Sequence, residues 1–167
     1  MKPLKEDLKT YRKKCILQCS MATAAVLCIL IVLNTASNTV VIASLGASSF
    51  IAFTMPHGKV SSPRLLVGGC IVGTIVGTCC HFLATQPALS AIPVIHGHLH
   101  ELFGALSIGA SIFFMIMTKT AHPPAAGLAL GFVLNEWNYL TIIVIFIGII
   151  LISCIKYFFK DLMVNLF

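Results

Sequence analysis

Six stretches of this chain, residues 16–33, 40–55, 65–83, 102–117, 121–134 and 140–155, contain no Asp, Glu, Lys or Arg. Little else constrains the fold as strongly. A bilayer hydrocarbon core is crossed by about 20 apolar helical residues. Segments 16–33 and 65–83 meet that length directly. Segments 102–117 and 140–155 reach it with their apolar flanks, whereas 40–55 and 121–134 are short and rich in small residues. Transmembrane strands would alternate in polarity, and these runs are apolar throughout. The expectation is an all-α integral membrane protein, a helical bundle of about six segments, four long and two short or broken. The composition agrees. Hydrophobic residues make up 58% and charged residues 10%, against about 25% charged in a soluble domain.

The formal net charge of +6 belongs to a membrane pattern rather than to a nucleic-acid-binding face. Six crossings would put Lys2, Lys5, Lys9, Arg12, Lys13, Lys14, Lys59, Arg64, Lys119, Lys156 and Lys160, all of the Lys and Arg, on one side. The other side would receive residues 34–39, 84–101 and 135–139, with Glu101 and Glu136. Cations favour the cytoplasmic face, so both termini are expected inside a cell (inner) membrane. Residues 1–15 read as a basic arm meeting lipid headgroups, 16–157 as the transmembrane domain, and 158–167 as a cytoplasmic tail. The apolar run after the basic start is longer than a usual signal-peptide core of about 7–15 residues. Cys15, Cys19, Cys28, Cys70, Cys79, Cys80 and Cys154 form no CxxC pair and read as small membrane-embedded side chains.

Each half of the chain places a short, small-residue segment between two longer ones. Ala43-Ser44-Leu45-Gly46 aligns with Ala126-Gly127-Leu128-Ala129. Three segments per half would give the halves opposite orientation, the inverted repeat of many transporters. Two independent three-helix halves are the alternative.

The second short segment opens with Thr118-Lys119-Thr120-Ala121-His122-Pro123-Pro124-Ala125-Ala126-Gly127. The first half carries Ser44-Leu45-Gly46-Ala47-Ser48-Ser49, Met55-Pro56-His57, Ser62-Pro63-Arg64 and Gly68-Gly69. This ordered set resembles the HPP family of small integral membrane proteins, over about residues 16 to 157. Family members are usually described with four transmembrane segments, so the two short segments are where a count of six departs from the pattern. The resemblance implies transport of a small inorganic anion, nitrite in particular, because plant plastid and cyanobacterial members are associated with it.

Proline is tolerated in a first helical turn, so His122-Pro123-Pro124 reads as the start of a helix over 123–134. Helix starts expose N–H groups and a partial positive charge that suit an anion. Lys119, His122, Pro123 and Pro124 are therefore candidate permeation residues, with Ser37-Asn38-Thr39 starting the other short helix from the outer side. Ser44 and Ser48 share a helical face around Gly46, with Ser49 nearer the next. They would line a polar path or simply let helices approach. His57 and Arg64 flank an inner loop, and His57 joins the candidates. Any proton coupling would pass through His122, assisted by His57. Gly69, Gly73 and Gly77, and again Gly127 and Gly131, have the spacing of close helix contacts.

His96, His98 and His100 at alternate positions are weak metal candidates if extended, but no metal or cofactor is expected. The expected partners are the lipid bilayer, a small anion substrate and a second copy of the chain in a homo-oligomer. The alternative function is a non-transporting membrane subunit or sensor module. An enzyme is not expected, since the apolar segments carry no carboxylate and no nucleophile has an evident base.

Overall fold

A computed structural model describes residues 8–33, 39–90 and 96–166. Six helices dominate: α1 (Leu8–Leu33), α2 (Thr39–Thr54), α3 (Pro63–Ala84), α5 (Leu99–Thr118), α6 (Pro123–Leu134) and α7 (Tyr139–Phe159), with a single turn α4 (Pro87–Ser90) after α3. No strand occurs among the described residues. Four helices, α1, α3, α5 and α7, are long and apolar enough to cross a membrane, and α2 and α6 are the shorter apolar pair. At about 1.5 Å per residue, α2 and α6 span roughly 24 and 18 Å, less than a hydrocarbon core of about 30 Å.

The long helices turn much of their apolar surface outward. Ile31, Ile75, Phe113, Ile116 and Phe158 are among many large exposed side chains. In water such a surface would drive association, but against acyl chains it is the required solvent-facing side. The short helix α6 has the opposite character. Ala125, Ala126, Leu128, Ala129, Gly131, Phe132 and Val133 are buried within its twelve residues. It is the hub of the bundle, held by α2, α3 and α5.

Glycine sets how closely that hub is approached. A Cβ on Gly69 would collide with His122 Cβ, one on Gly73 with Ala125 O, and one on Gly77 with Ala129 O. The residue pairs ascend together, so α3 and α6 run parallel with their backbones nearly touching. On its other side α6 runs antiparallel to α2: Gly131 meets Val40, and Pro124 O accepts from Ser44 Oγ at 3.3 Å. Gly148 of α7 meets Leu45 of α2. Gly127 is different. It is exposed, and a Cβ added there would meet no atom within 4 Å, so the expected Gly127/Gly131 pair reduces to one contact, at Gly131.

These contacts make the helices alternate in direction along the chain. The start of α1, the turn between α2 and α3, the turn between α5 and α6 and the end of α7 share one end of the bundle. Tyr11 OH donates to Leu166 O at 3.2 Å, and Gln18 Nε2 donates to Phe53 O at 2.6 Å and to Val164 O at 2.9 Å. Leu166 N–H donates to Thr54 O at 2.8 Å. Residues 163–166 are thus stitched across α1 and α2 rather than trailing away. The helix α1 also begins at Leu8, so the basic stretch Lys9–Lys14 is continuous with the first long helix.

Candidate functional site

His122 is the side chain most fully enclosed among the candidate residues with ring nitrogens, at 1% exposure. Sequence places it there directly. Pro123 and Pro124 fix the first turn of α6, and His122 immediately before them has extended backbone, φ −140 and ψ 94, as the residue before proline prefers. Gly69 lies against its Cβ, which pins the ring between α3 and α2. There its Nε2 is 2.9 Å from Ser48 Oγ. Its Nδ1 is buried and has no hydrogen-bond partner. Whichever tautomer is present, one donor or acceptor function of the imidazole is unmet. Such a group is costly in an apolar interior.

Ser44, one turn from Ser48 on α2, bonds to Pro124 O. The two serines therefore face the start of α6. Ser49 turns away, donates to Gly46 O at 2.9 Å, and lines a groove of about 610 Å³ between α1 and α2 together with Gly46, Gln18 and Phe53. The candidates thus separate. Ser44, Ser48, His122 and Pro124 meet, whereas Gly46 and Ser49 belong to a largely apolar groove on the other face of α2.

The start of α6 does not present the spare N–H groups expected of it. Pro123 and Pro124 have none, and Ala125 N–H donates to His122 O at 2.9 Å. Only the helix dipole remains to favour an anion there. The donor for a ligand would have to be the imidazole. Ser37 and Asn38, the expected counterpart at the other short helix, lie outside the described residues.

Lys119 ends α5 with φ 55 and ψ 42, in the left-handed region. Its N–H donates to Ile116 O at 3.2 Å, and Thr120 N–H to Met115 O at 2.9 Å, the helix-closing pattern that usually selects glycine. Its side chain is exposed, so Lys119 shapes the turn and its charge stays apart from His122. Thr120 is buried against Gly68, and its Oγ1 is 2.7 Å from Thr118 Oγ1.

His57 is at the same end of the bundle but apart from His122. Its Nε2 is 3.1 Å from Met163 O and its N–H donates to Asn165 Oδ1 at 3.1 Å. It anchors residues 163–165. The outer histidines do not form the extended array that would align three imidazoles. His96–His98 is a 3-10 turn and His100 lies in α5, and alternate residues of a helical segment face different ways. His98 and His100 are exposed, and no group of three His, Cys, Asp or Glu comes together among the described residues.

Gln18 and Lys156 are among the buried polar side chains that sequence did not single out. Gln18, at 1% exposure, is fully used, since besides its two donated bonds its Oε1 accepts from Val164 N–H at 3.2 Å. Lys156, at 8% exposure, donates to Ser61 O at 2.6 Å. A lone Gln inside an apolar run was the available signal for the first; the second sat at a segment end and looked like an ordinary interfacial cation.

Apolar outward faces, a hub of small residues and an interior holding Gln18, Ser48 and His122 define a multi-pass α-helical membrane protein. The family model of the HPP transmembrane region matches residues 8–165, and the chain belongs to that family. The match takes in both the basic start of α1 and the stitched C-terminal residues. No curated protein and no solved structure shows significant similarity.

Proposed function

We propose that this protein carries a small inorganic anion across the membrane, by a conformational cycle rather than through a standing pore. The observation that carries the proposal is the state of His122: buried, held by Ser48 through Nε2, and without a partner at Nδ1. A protonated imidazole there offers an N–H and a positive charge to an anion that has shed water. Close packing of Gly69, Gly73 and Gly77 on α6 closes the α3–α6 seam beside the ring, and this reading has α2 or α6 shift to give access. Nitrite is the substrate favoured by the family resemblance. The end of the bundle that holds the Lys and Arg of the described residues is the cytoplasmic one by the cation bias. Enzymatic chemistry is not part of this proposal.

The test is nitrite flux into liposomes containing the purified protein, compared with protein-free liposomes. Flux above background that falls at least about tenfold in His122→Ala, with folded yield retained, supports the reading. Flux indistinguishable from protein-free liposomes overturns it and leaves a non-transporting membrane subunit.

A further inference from the structure

A separate candidate site lies at the basic end of the bundle, away from His122. It is a cavity of about 250 Å³ between the turn that starts α3 and the last turns of α7, and its polar lining comes from His57, Ser62, Ser153, Lys156, Tyr157 and Lys160. We propose that this cavity binds a phosphate group, supplied by an anionic lipid headgroup or by inorganic phosphate. The proposal does not depend on the anion passage assigned to His122.

Four features converge. Lys156 and Lys160 are one helical turn apart and share a face of α7. Lys156 uses one of its three donors on Ser61 O, and Lys160 Nζ sits 5.1 Å from the Tyr157 ring centroid. Like charges one turn apart repel each other. Asp161 is the described carboxylate at this end, but it is exposed and not part of the lining. Among the described residues, the cavity lining thus carries two cations and no carboxylate.

Ser153 supplies the independent observation. It is 8% exposed, and its Oγ is buried with no hydrogen-bond partner. A serine inside a helix ordinarily satisfies itself on the preceding turn's carbonyl. This hydroxyl does not, and its residue forms part of the cavity wall. Across from it, Ser62 is the N-cap of α3 but makes no side-chain capping bond, so its hydroxyl is also uncommitted. Behind Ser62 stands the positive end of a 22-residue helix. Two ammonium groups, two hydroxyls and a helix start around one space match a tetrahedral oxyanion with several acceptor oxygens.

The walls are braced for such a ligand. Ser61 is fully buried, and its Oγ donates to Met55 O at 2.6 Å and to Gly58 O at 2.9 Å. The turn therefore holds its shape with Lys156 attached. His57 closes one side through its bond to Met163 O.

The experiment uses the full chain purified in a neutral, phosphate-free detergent. Inorganic phosphate and short-chain phosphatidylglycerol are titrated separately, with binding read by calorimetry and phosphorus NMR line width. At least one of the two should bind. Lys160→Gln should weaken that binding by about tenfold and Ser153→Ala by about threefold, as expected for a charged and a neutral hydrogen bond. Lys156→Met should abolish it, but that variant also releases Ser61, so the first two substitutions decide. Lys59→Gln removes an exposed cation of the same turn that does not line the cavity, and should change binding by less than about twofold. Binding of phosphatidylglycerol alone assigns the site to a headgroup, and binding of both assigns it to the oxyanion itself. The proposal is overturned if neither binds, or if Lys59→Gln weakens binding as much as Lys160→Gln.

Discussion

Ser48 Oγ and His122 Nε2, 74 positions apart in sequence, lie 2.9 Å from each other and join the middle of α2 to the start of α6. The bond fixes the ring so that its other nitrogen is the one left unmet. Ser48→Ala should leave the imidazole with no partner and destabilise the fold by about 1–3 kcal/mol. His122→Ala removes the unmet Nδ1 together with the bond, but leaves a void beside Gly69 and Ser48 Oγ without this partner. Thermal unfolding in detergent should therefore rank both variants below wild type. The anion flux of Ser48→Ala should fall less than that of His122→Ala, because the imidazole remains. Equal loss of flux would place the functional group on Ser48.

Gly69 on α3 and Gly46 on α2 should behave oppositely. Gly69→Ala pushes a methyl group into His122 Cβ and to within 2.9 Å of Thr120 O, where backbone would have to move. A loss of about 2–3 kcal/mol or more is expected, with reduced folded yield. Gly46→Ala meets nothing within 4 Å and should be neutral, or stabilising by up to about 1 kcal/mol through helix propensity. Size-exclusion profiles of the two variants, expressed side by side, check the contrast.

Lys119 holds a left-handed conformation that costs a non-glycine residue about 1–2 kcal/mol. Lys119→Gly should raise thermal stability, since the exposed side chain packs against little. If flux is unchanged in the stabilised variant, the lysine serves only the turn. If flux falls while stability rises, its charge draws the anion toward the α5–α6 end.

The cation bias, taken with the alternating helix directions, predicts that residues 59 and 119 face the cytoplasm. Single cysteines there, in a background lacking the native ones, should resist a membrane-impermeant thiol reagent in intact cells and react after permeabilisation. Both side chains are exposed, so access is not limited by the fold. Ready labelling of both in intact cells would mean that α2 and α6 enter and leave on one side.

Hydropathy alone located all six helices, because each had to bury an apolar surface in lipid or in the bundle. Boundaries slipped where that reason fails. α1 starts at Leu8 rather than Ile16, since Lys and Arg extend a helix without being apolar. The Gly69-Gly73-Gly77 stripe announced a close approach, but not that α6 would be the partner, because spacing on one helix says nothing of the other. The bracing of residues 163–166 by Gln18 and His57 was illegible. It depends on hydrogen bonds between positions more than a hundred residues apart. At His122 the motif marked a residue that the fold buries against Ser48, but the expectation of spare N–H groups there did not reckon with the prolines. The same two prolines that define the helix start also delete the N–H donors an anion would use.

That deletion bears on coupling. An interior-negative potential opposes uptake of an anion by about 2.3 kcal/mol per 100 mV for each charge. Accumulation therefore needs a cation to travel with it. With no N–H of the α6 start to spare, an anion at His122 would depend on the imidazole, and a proton on the ring would in turn need a counter-ion, since an isolated charge in an apolar interior is costly. In the proposed cycle each ligand would favour binding of the other, and the loaded site would be neutral. An imposed inward proton gradient should accelerate nitrite uptake into proteoliposomes by wild type. His122→Gln keeps a hydrogen-bonding side chain but cannot take up the proton, so its residual uptake should be indifferent to the gradient. If wild-type uptake is also indifferent, the anion crosses without a proton, and His122 serves only to hold α2 against α6.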